Sequence, residues 1–510
     1  MWRAPPGVPR QTVISTSLPS GAGPLACRPT PPSASALPFS LPPTFHDSIE
    51  KLLGPRGFLF KPEDLTLYEY DGGVDKSRPD MVVFPQSTAD VVAIVKIAAE
   101  FNLPIVGRGA GTGLSGGAIA RAGGIVISFA RMNRILEIDL ADERAVVEPG
   151  VVNLDITMAV DADSYFYAPD PSSQRACTIG GNVSENAGGP HTLCYGVTTN
   201  HVLGIEAVLP DGTVIETSTE GEGYDLTGIL VGSEGTMVLV TKVIVRLMRK
   251  PELVKTILAI YDRAEDAGET VEKITAHAIT PAAIEMMDGV MLRMIEEATH
   301  AGYPMDAAAV LLIELEGLRE MVEEQVEQIR EVCLLCRARE IRVARNSLER
   351  DLLWKGRKNA FGAVGRCSPS YYVQDGVVPR TQIAPALKFM HDLSDRYGLT
   401  ISNIFHAGDG NLHPLILFDH RVPGEFEKVK QASDEILDYC IAVGGSITGE
   451  HGVGMEKMEM MGHQFAPDTL EMIGGFKKLF DPGCRLNPGK VLPTGRGCME
   501  IRQRSGDLSL

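Results

Sequence analysis

Two glycine-rich segments in the last quarter of the chain carry the residue types best suited to chemistry. The segment "FHAGDGNLHP" places His406 and His413 on either side of a tight turn, and "TGEHGVG" supplies Glu450 and His451. A single histidine is usually a structural residue, but two that flank a turn, with a Glu-His pair among glycines, favour a site. Two imidazoles and one carboxylate form a suitable ligand set for zinc or another divalent cation, with positions left for a substrate.

The neighbouring residues Glu450 and His451 can divide two roles between them. Successive side chains of an extended backbone point to opposite sides, so one can hold the cation while the other works on the substrate. Histidine titrates near neutrality and suits a general base that removes a hydroxyl proton. A bound cation would assist that step by lowering the pKa of the hydroxyl.

A positive charge for a carboxylate substrate is offered by "LLWKGRKNAFGA", in which Arg357 precedes Lys358. A guanidinium can bind a carboxylate through two parallel hydrogen bonds. A solvated basic patch is the alternative, and it is the commoner meaning of such a pair taken alone. Arg357 is therefore a candidate substrate-binding residue that needs support from the rest of the sequence.

The segment "RGAGTGLSGGA", residues 108–118, matches the G-x-G-x-x-G pattern of Rossmann dinucleotide sites letter for letter. In a Rossmann unit the last glycine opens a crossover helix of roughly 10–12 residues or more. The stretch between Gly116 and the strand that begins at Ile125 is too short for that helix, so the Rossmann interpretation is rejected. Glycines still let backbone N–H groups wrap an anion, and Arg108 adds positive charge. We predict a pyrophosphate-binding loop without a helix, with a structural turn as the alternative.

Two further segments have the same glycine-rich character. They are "PDPSSQRACTIGGNVSENAGG" at 169–189, followed by "YG" at 195–196, and "VGSEGT" at 231–236. Ordering glycine costs more entropy than ordering any other residue, so this density is expected where backbone touches a large flat ligand. Three such loops predict a dinucleotide that lies across one domain in extended form. The candidate cofactor-binding residues, with one from "LNPGK", are Arg108, Gly109, Ala110, Gly111, Thr112, Gly113, Ser115, Pro169, Asp170, Ser173, Gly180, Gly181, Asn182, Asn186, Gly188, Gly189, Tyr195, Gly196, Glu234, Gly235 and Asn487.

Composition narrows the class of protein. The formal net charge of -18 disfavours nucleic-acid binding. The sequence contains no run of about 18 apolar residues, so we expect no membrane-spanning helix. Nine scattered cysteines indicate a reducing compartment. Cys333 and Cys336 lie on an amphipathic helix, where packing is favoured over a metal or redox role, and the sequence has no cysteine run for an iron–sulfur cluster. We expect a cytoplasmic protein that reaches the inner membrane only through partners.

The chain divides by pattern into five segments. Residues 1–43 hold 11 of the 33 prolines and no acidic residue, which predicts a disordered extension, with an organelle transit peptide as the alternative. Residues 44–250 mix short strands, helices and glycine loops, as an α+β domain does. Residues 251–443 predict a sheet with long helices on one face. Residues 444–492 carry the later loop motifs, and residues 493–510 form a tail.

The three glycine loops, in this order, resemble the FAD-binding domain of the vanillyl-alcohol oxidase type of flavoprotein, the PCMH fold. "APDPSSQ", "WKGRKNAFGAVGR", "FHAGDGNLHPLILFD" and "GGSITGEHGVG" extend the resemblance to the family of the FAD-linked D subunit of glycolate oxidase, next to D-lactate and D-2-hydroxyglutarate dehydrogenases. The resemblance covers about residues 50–490. It implies an α+β fold with a PCMH-type domain at 44–250, a substrate-binding cap domain with an antiparallel sheet at 251–443, and a segment at 444–492 that completes the active site and the FAD domain.

The resemblance also implies an activity and a site. Glycolate, or D-lactate as the alternative, would be oxidised by hydride transfer to FAD, giving glyoxylate from glycolate. FAD should be held non-covalently, because the first loop lacks the histidine through which many relatives attach it. His406, His413 and Glu450 match the family's ligands for a divalent metal such as zinc or manganese. His451 matches its catalytic base, and Arg357 matches its substrate-binding arginine.

Two departures from the D-2-hydroxyglutarate dehydrogenases bear on the substrate. Val373 and Leu415 stand where those enzymes carry lysine and asparagine, which indicates a small substrate without a second carboxylate. The resemblance implies, as partners, a second FAD-domain subunit and an iron–sulfur subunit of a glycolate oxidase complex. A metal-dependent hydrolase and an inactive relay or assembly subunit are the other classes considered. The glycine loops argue against the former, and the intact His/His/Glu/His set argues against the latter.

Overall fold

The computed structural model of the protein describes residues 41–220 and 223–493. The predicted extension lies outside the described residues up to position 40, and the predicted tail lies outside them from position 494. The described chain opens with helix α1, which begins at Pro43, where a missing N–H costs no helical hydrogen bond. Among the described residues, no helix is both long and apolar enough to cross a membrane.

Three small sheets are described before residue 250. The strands are β1 (Phe58–Leu59), β2 (Met81–Val83), β3 (Ile105–Arg108), β4 (Ile125–Ser128), β5 (Ile135–Asp139), β6 (Arg144–Val147), β7 (Tyr165–Phe166), β8 (Val202–Val208), β9 (Val214–Ser218), β10 (Leu239–Arg246) and β11 (Met248–Arg249). Their orders are β1-β2-β4-β3, β5-β6-β10-β8-β9 and β11-β7. The helices are α1 (Pro43–Leu53), α2 (Pro62–Leu65), α3 (Thr88–Glu100), α4 (Asn153–Val160), α5 (Ile179–Glu185), α6 (Thr192–Tyr195) and α7 (Leu226–Leu230).

The first glycine loop connects two parallel strands without a helix. Helix α3 begins after Ser87, whose side chain accepts a hydrogen bond from the Asp90 N–H at 3.2 Å, as the capping pattern predicts. It leads to β3, which pairs in parallel with β4. Residues 109–124, which join the two strands, form turns and no helix. The spacing predicted that no crossover helix follows this loop, and the structure confirms that prediction.

The strands between residues 253 and 418 form one eight-stranded sheet in which every neighbouring pair is antiparallel. They are β12 (Leu253–Tyr261), β13 (Ala283–Asp288), β14 (Ala309–Gly317), β15 (Glu340–Val343), β16 (Ser370–Val373), β17 (Gly376–Val377), β18 (Thr400–His406) and β19 (Asn411–Phe418). Their order is β15-β12-β14-β13-β18-β19-β16, with β17 also beside β19. The later helices are α8 (Ala264–Ala276), α9 (Gly289–Thr299), α10 (Arg319–Leu335), α11 (Ser347–Lys358), α12 (Ala360–Cys367), α13 (Ile383–Tyr397), α14 (Glu425–Ala442), α15 (Met461–Gln464) and α16 (Pro467–Phe480).

Helices cover both faces of this sheet, so the expectation of helices on one face was wrong. One face packs against α8, α10, α13 and α14 around Tyr261 and Phe405, and the other packs against α9, α11 and α12 around Met287 and Trp354. Strands buried on both faces read as nearly continuous apolar runs, and "AVLLIEL" in β14 is such a run. The absence of apolar–polar alternation in that run is the sequence signal for two covered faces.

The C-x-x-C pair lies in the core at the end of α10. Cys333 and Cys336 are free thiols without exposed surface. Burial raises the pKa of Cys333 to about 11, so this thiol stays protonated at neutral pH. Both side chains belong to the same core cluster as Tyr261, in line with the packing interpretation.

After α16 the chain returns to the first sheet. Leu486 bridges Ile105 of β3 in parallel, and the N–H of Asn487 donates to the Ile105 carbonyl at 2.7 Å. The Asn487 side-chain amide then donates to the carbonyls of Gly117, at 2.9 Å, and Glu234, at 2.7 Å. This closing segment therefore connects the first glycine loop with the third.

Candidate active site

A cavity of about 500 Å³ has backbone-rich glycine loops on one side and charged and aromatic side chains on the other. Twelve of the predicted cofactor-binding residues line it: Arg108, Gly109, Ala110, Gly111, Thr112, Gly113, Ser173, Gly180, Gly181, Asn182, Glu234 and Gly235. The predicted substrate, metal and base residues that line it are Arg357, His413, Glu450 and His451. The fold therefore brings residues of both groups to one cavity, whereas the predicted metal ligand His406 lies outside its lining.

Glycine is required in the first loop because other groups approach its backbone closely. The buried Arg108 side chain donates to the Tyr70 carbonyl at 2.8 Å. Gly111 has a φ of 71°, and a Cβ there would clash with that guanidinium. A Cβ on Gly109 would clash with the hydroxyl of Thr178 in the second loop. The packing consequently leaves no room for a larger residue at Gly109 or Gly111.

The remaining predicted cofactor-binding residues lie outside the cavity lining. They are Ser115, Pro169, Asp170, Asn186, Gly188, Gly189, Tyr195, Gly196 and Asn487. Asp170 accepts hydrogen bonds from the backbone N–H and Nδ1 of His191, and the Tyr195 hydroxyl donates to Glu316. The bonds made by Asp170 and Tyr195 place these two residues in the framework that supports the loops.

The three predicted metal ligands come together at the wall of the cavity, which His413 and Glu450 line. Glu450 Oε1 lies 3.0 Å from Nε2 of His406 and 3.0 Å from Nε2 of His413. One ligand atom from each residue falls within 4.8 Å of the others. Burial would raise the pKa of Glu450, but the two rings hold it well below its ordinary value, so the carboxylate is charged. Two nitrogen donors and one oxygen donor around a common centre fit a zinc- or manganese-type cation.

The register of β18 and β19 sets this convergence. His406 pairs with Asn411 and Ile404 pairs with His413 across the antiparallel ladder. The two histidines are therefore diagonal neighbours on one face of the sheet, and their ring centroids lie 5.0 Å apart. Gly410, with a φ of 79°, makes the tight turn between the strands possible.

Asp375 holds the loop that carries Glu450 and His451. Its fully buried carboxylate accepts hydrogen bonds from the Thr448 hydroxyl and from the backbone N–H groups of residues 449–451, at 2.5 to 3.3 Å. The Lys457 ammonium donates to the same carboxylate at 3.1 Å. Burial would raise the pKa of Asp375, but Lys457 and the nearby histidines hold it well below its ordinary value. A charged carboxylate thus bends the loop around itself.

An extended backbone was expected to point the side chains of Glu450 and His451 to opposite sides. Because of this bend, both side chains contact His413 instead. Glu450 reaches Nε2 of His413, while the His451 ring stacks on the His413 ring with 4.9 Å between centroids and 10° between planes. Burial lowers the pKa of His451 to about 4, although Asp375 partly counters it. The ring is therefore neutral at pH 7 and able to accept a proton.

Arg357 lies in the last turn of α11 and is 2% exposed. Its Nε donates to Glu285 Oε2 at 2.6 Å, and a terminal guanidinium nitrogen lies 2.6 Å from the same oxygen. The adjacent Lys358 is more exposed, and its ammonium lies 3.9 Å from the Asp170 carboxylate. Arg357 is consequently a buried cation at the cavity, as Arg108 is, and Lys358 is a more exposed one.

Apolar side chains line the cavity next to these cations. Val373 lines it together with Phe361 and Tyr371, whose rings stack with 6.4 Å between centroids. Leu415 is fully buried in the core beside Val373 and does not reach the lining. Of the two positions singled out for substrate size, only Val373 therefore presents its side chain to the cavity.

Buried Glu314 joins the second glycine loop to the helix that carries Arg357. It accepts hydrogen bonds from Arg350 at 2.9 Å and from the Trp354 indole at 2.6 Å, both on α11. It also lies 3.2 Å from Nε2 of His191, whose other ring nitrogen bonds Asp170. The His191 ring stacks on Trp354 with 5.5 Å between centroids. This junction fixes the helix that carries Arg357 relative to the loop framework.

Comparison with known proteins agrees with this arrangement. The chain matches the FAD binding domain family over residues 79–218 and the C-terminal domain of FAD linked oxidases over residues 250–491. It is 45% identical over 443 residues to the glycolate oxidase subunit GlcD of Escherichia coli K12, covering 86% of this chain and 89% of that one. The chain belongs to the FAD-linked oxidase family. A D-lactate dehydrogenase from Anaerostipes hadrus is 32% identical, over 82% of this chain and 90% of its own length.

A solved structure shares the fold of this FAD-linked oxidase. Substrate-bound p-cresol methylhydroxylase aligns with a TM-score of 0.75 at 19% identity, covering 88% of this chain and 96% of the other. The predicted PCMH-type fold is therefore confirmed. Membership of the family also makes the protein an FAD-linked oxidoreductase.

The cavity of this FAD-linked oxidase fits its cofactor. Among the described residues, Thr178 Oγ1 and Asn182 Nδ2 are buried polar atoms at the cavity without a hydrogen-bond partner. Buried polar atoms are normally paired, so these two suit a ligand rich in polar groups. The glycine loops add backbone N–H groups for phosphate oxygens. The first loop contains no histidine, which accords with non-covalent binding.

Sequence reasoning missed three buried carboxylates that organise this FAD-linked oxidase site: Glu285, Glu314 and Asp375. Glu285 and Glu314 interrupt otherwise apolar strands, "AIEMMD" and "AVLLIELEG". An acidic residue within such a run signals a buried carboxylate with partners, because an unpaired one would cost too much free energy. Asp375 follows a strand in "YYVQDG" and offers no comparable signal.

Proposed function

We propose that this protein oxidises a small D-2-hydroxy acid by hydride transfer to FAD, and that the substrate is glycolate, converted to glyoxylate. The observation that carries the proposal is that Arg357 and His451 line the same cavity as the glycine loops, together with two of the three members of the His/His/Glu cluster. The name of the E. coli relative, a glycolate oxidase subunit, supports the choice of substrate. The name of the A. hadrus relative makes D-lactate the second candidate.

Each group at the cavity has one task in this proposal. Arg357 binds the substrate carboxylate and orients the α-carbon. His451 removes the proton of the hydroxyl, while the hydrogen on the α-carbon leaves with its electron pair and a carbonyl forms. Bound FAD supplies the two-electron acceptor for that hydride. A divalent cation at His406, His413 and Glu450 would supply Lewis-acid polarisation of the hydroxyl oxygen.

The apolar wall supports a substrate without a second carboxylate. Val373, Phe361 and Tyr371 offer no charge to a group extending from the α-carbon of a bound acid. A second carboxylate buried there would lose its hydration without gaining a cationic partner from these three side chains. Glycolate carries only a hydrogen atom at that position of the α-carbon and D-lactate only a methyl group, so both avoid that cost.

The reduced cofactor needs an electron acceptor. We assign that role to an iron–sulfur subunit in a complex that also contains a second FAD-domain subunit. The sequence supports a separate subunit because it has no cysteine run that could hold a cluster of its own. The E. coli relative, named as a subunit, points in the same direction.

Anaerobic mixing of the FAD-loaded protein with a panel of D- and L-2-hydroxy acids tests the proposal. We expect glycolate to bleach the visible flavin absorption fastest, D-lactate to follow, and L-lactate and D-2-hydroxyglutarate to act slowly or not at all. Bleaching by none of these acids would contradict hydroxy-acid oxidation. If D-lactate bleaches the flavin fastest, D-lactate replaces glycolate as the proposed substrate, and the proposed reaction type is unchanged.

A further inference from the structure

Glu285 connects two functional groups that the sequence keeps far apart. It lies on β13, and its side chain is fully buried. Its Oε1 lies 2.8 Å from Nδ1 of His406, while its Oε2 accepts the hydrogen bond from Arg357. One carboxylate therefore contacts both the first proposed metal ligand and the proposed substrate-binding arginine.

The sheet fixes the contact with His406. Glu285 and His406 are directly opposite each other in the antiparallel pairing of β13 and β18. Directly paired residues share a face of the sheet, and a slip of one residue would send the two side chains to opposite faces. The contact is thus a consequence of strand register and does not depend on a mobile loop.

The carboxylate determines which nitrogen of His406 faces the cation. Glu285 forms an ion pair with the Arg357 guanidinium, and a carboxylate in an ion pair can only accept hydrogen bonds. The proton of a neutral His406 ring must then lie on Nδ1. Nε2, which faces Glu450, is left with its lone pair for a cation.

The same carboxylate orients the guanidinium. Nε and one terminal nitrogen of Arg357 lie against Glu285, which leaves the other edge of the planar group for a substrate carboxylate. Arg357 and a cation held by His406 would carry charge of the same sign. Glu285 supplies negative charge next to both, which reduces the electrostatic cost of keeping them in one buried site.

We propose that Glu285 is a positioning residue that couples the substrate-carboxylate site to the metal site. The proposal rests on the proposed function, because it takes Arg357 as the carboxylate-binding residue and His406 as a metal ligand. It adds that the two sites share one support and that loss of the Glu285 charge weakens both. A residue that only filled space in the core would affect neither site specifically.

The test compares Glu285→Gln, which keeps the shape and removes the charge, with Glu340→Gln, the same change on an exposed strand of the same sheet. Metal-free, FAD-loaded protein is titrated with Co²⁺, and oxalate binding is followed separately through the flavin absorption. Neither readout requires turnover. We expect Glu285→Gln to weaken Co²⁺ binding roughly 10- to 100-fold and oxalate binding about tenfold, with Glu340→Gln unchanged.

Each outcome decides something definite. Weakening of one ligand with the other unchanged, or unchanged binding of both, would overturn the coupling while leaving the two sites in place. A wild-type protein that takes up neither Co²⁺ nor oxalate would contradict the proposed site itself, and the coupling with it. If Glu285→Gln fails to retain FAD, Glu285→Asp is measured instead. That variant keeps the charge on a shorter side chain and should weaken both ligands by less than tenfold; an effect on one ligand alone would again overturn the coupling.

Discussion

His451 is the residue whose removal should separate chemistry from cofactor binding. Its ring lies at the cavity, stacks on His413 and has an unpaired Nδ1 within the described structure. We expect His451→Ala to retain FAD and to slow anaerobic flavin reduction roughly 100- to 10,000-fold, the range for loss of a general base. Stopped-flow absorbance measures the rate, and His463→Ala, on an exposed ring, is the control. Flavin reduction at the wild-type rate in His451→Ala would remove its assignment as base.

Residue types alone located part of this site. The two histidines that flank the Gly-Asp-Gly-Asn turn, His406 and His413, could be singled out, and so could the Glu-His pair in "TGEHGVG". Each pair is an unusual combination of residue types within a short stretch of sequence. The acidic residue in the apolar run "AIEMMD" indicates a buried carboxylate, but the sequence does not name the partners of Glu285, because they depend on a strand pairing with His406. Pairings across such sequence separations leave no local pattern. The same limit hid Asp375, whose partners lie in the loop at 448–451.

At the scale of elements, the contact between helix α11 and the second glycine loop should depend on pH. Burial would lower the pKa of His191, but the Asp170 and Glu314 carboxylates raise it to about 10. A raised pKa stabilises the fold fully below the unfolded value of about 6.5, and the stabilisation is lost as the pH rises towards 10. We expect His191→Gln to lower Tm clearly at a pH of about 6 and much less at a pH of about 9.5.

Thermal unfolding at both pH values measures this difference. His391→Gln, on an exposed side chain, should leave Tm unchanged at each pH. An equal loss of Tm at the two pH values in His191→Gln would show that the contact acts through packing on Trp354 and not through charge.

The elements themselves were predicted with uneven success, for physical reasons. The loop after β3 was correctly separated from a Rossmann turn, because chain length sets a strict limit on a crossover helix. The prediction that helices cover one face of the eight-stranded sheet was wrong, because the sequence pattern of strands and helices does not determine which face each helix covers. Order does not determine the face: α8 and α10 pack on one side, whereas α9, which lies between them in sequence, packs on the other.

At the scale of the whole molecule, Lys490 should be essential for the cofactor site. Its buried ammonium donates to the carbonyls of Gly117 and Ile119, at 3.3 and 2.7 Å, and to Asn487 Oδ1 at 3.1 Å. Burial lowers its pKa to about 8, although nearby carboxylates favour its charge. We expect Lys490→Met to remove these three hydrogen bonds and the positive charge beside the nearby buried carboxylates, to reduce the free energy of unfolding by about 3–5 kcal/mol and to lower FAD content.

The ratio of flavin to protein absorbance, together with chemical denaturation, measures both effects. Lys478→Met, an exposed lysine on α16, is the matched control and should behave as the wild type. Full FAD content and wild-type stability in Lys490→Met would show that the closing segment does not support the loop.

The bridge between Leu486 and Ile105 has a consequence for synthesis of the protein on the ribosome. The first glycine loop is translated early, yet Asn487 and Lys490, which hold its carbonyls, are among the last described residues to emerge. A nascent chain therefore carries a glycine loop without its supports until nearly all of the described chain has been made. FAD capture should accordingly be a late event, one that follows synthesis of the segment at 486–490 and reports that the whole described fold has closed.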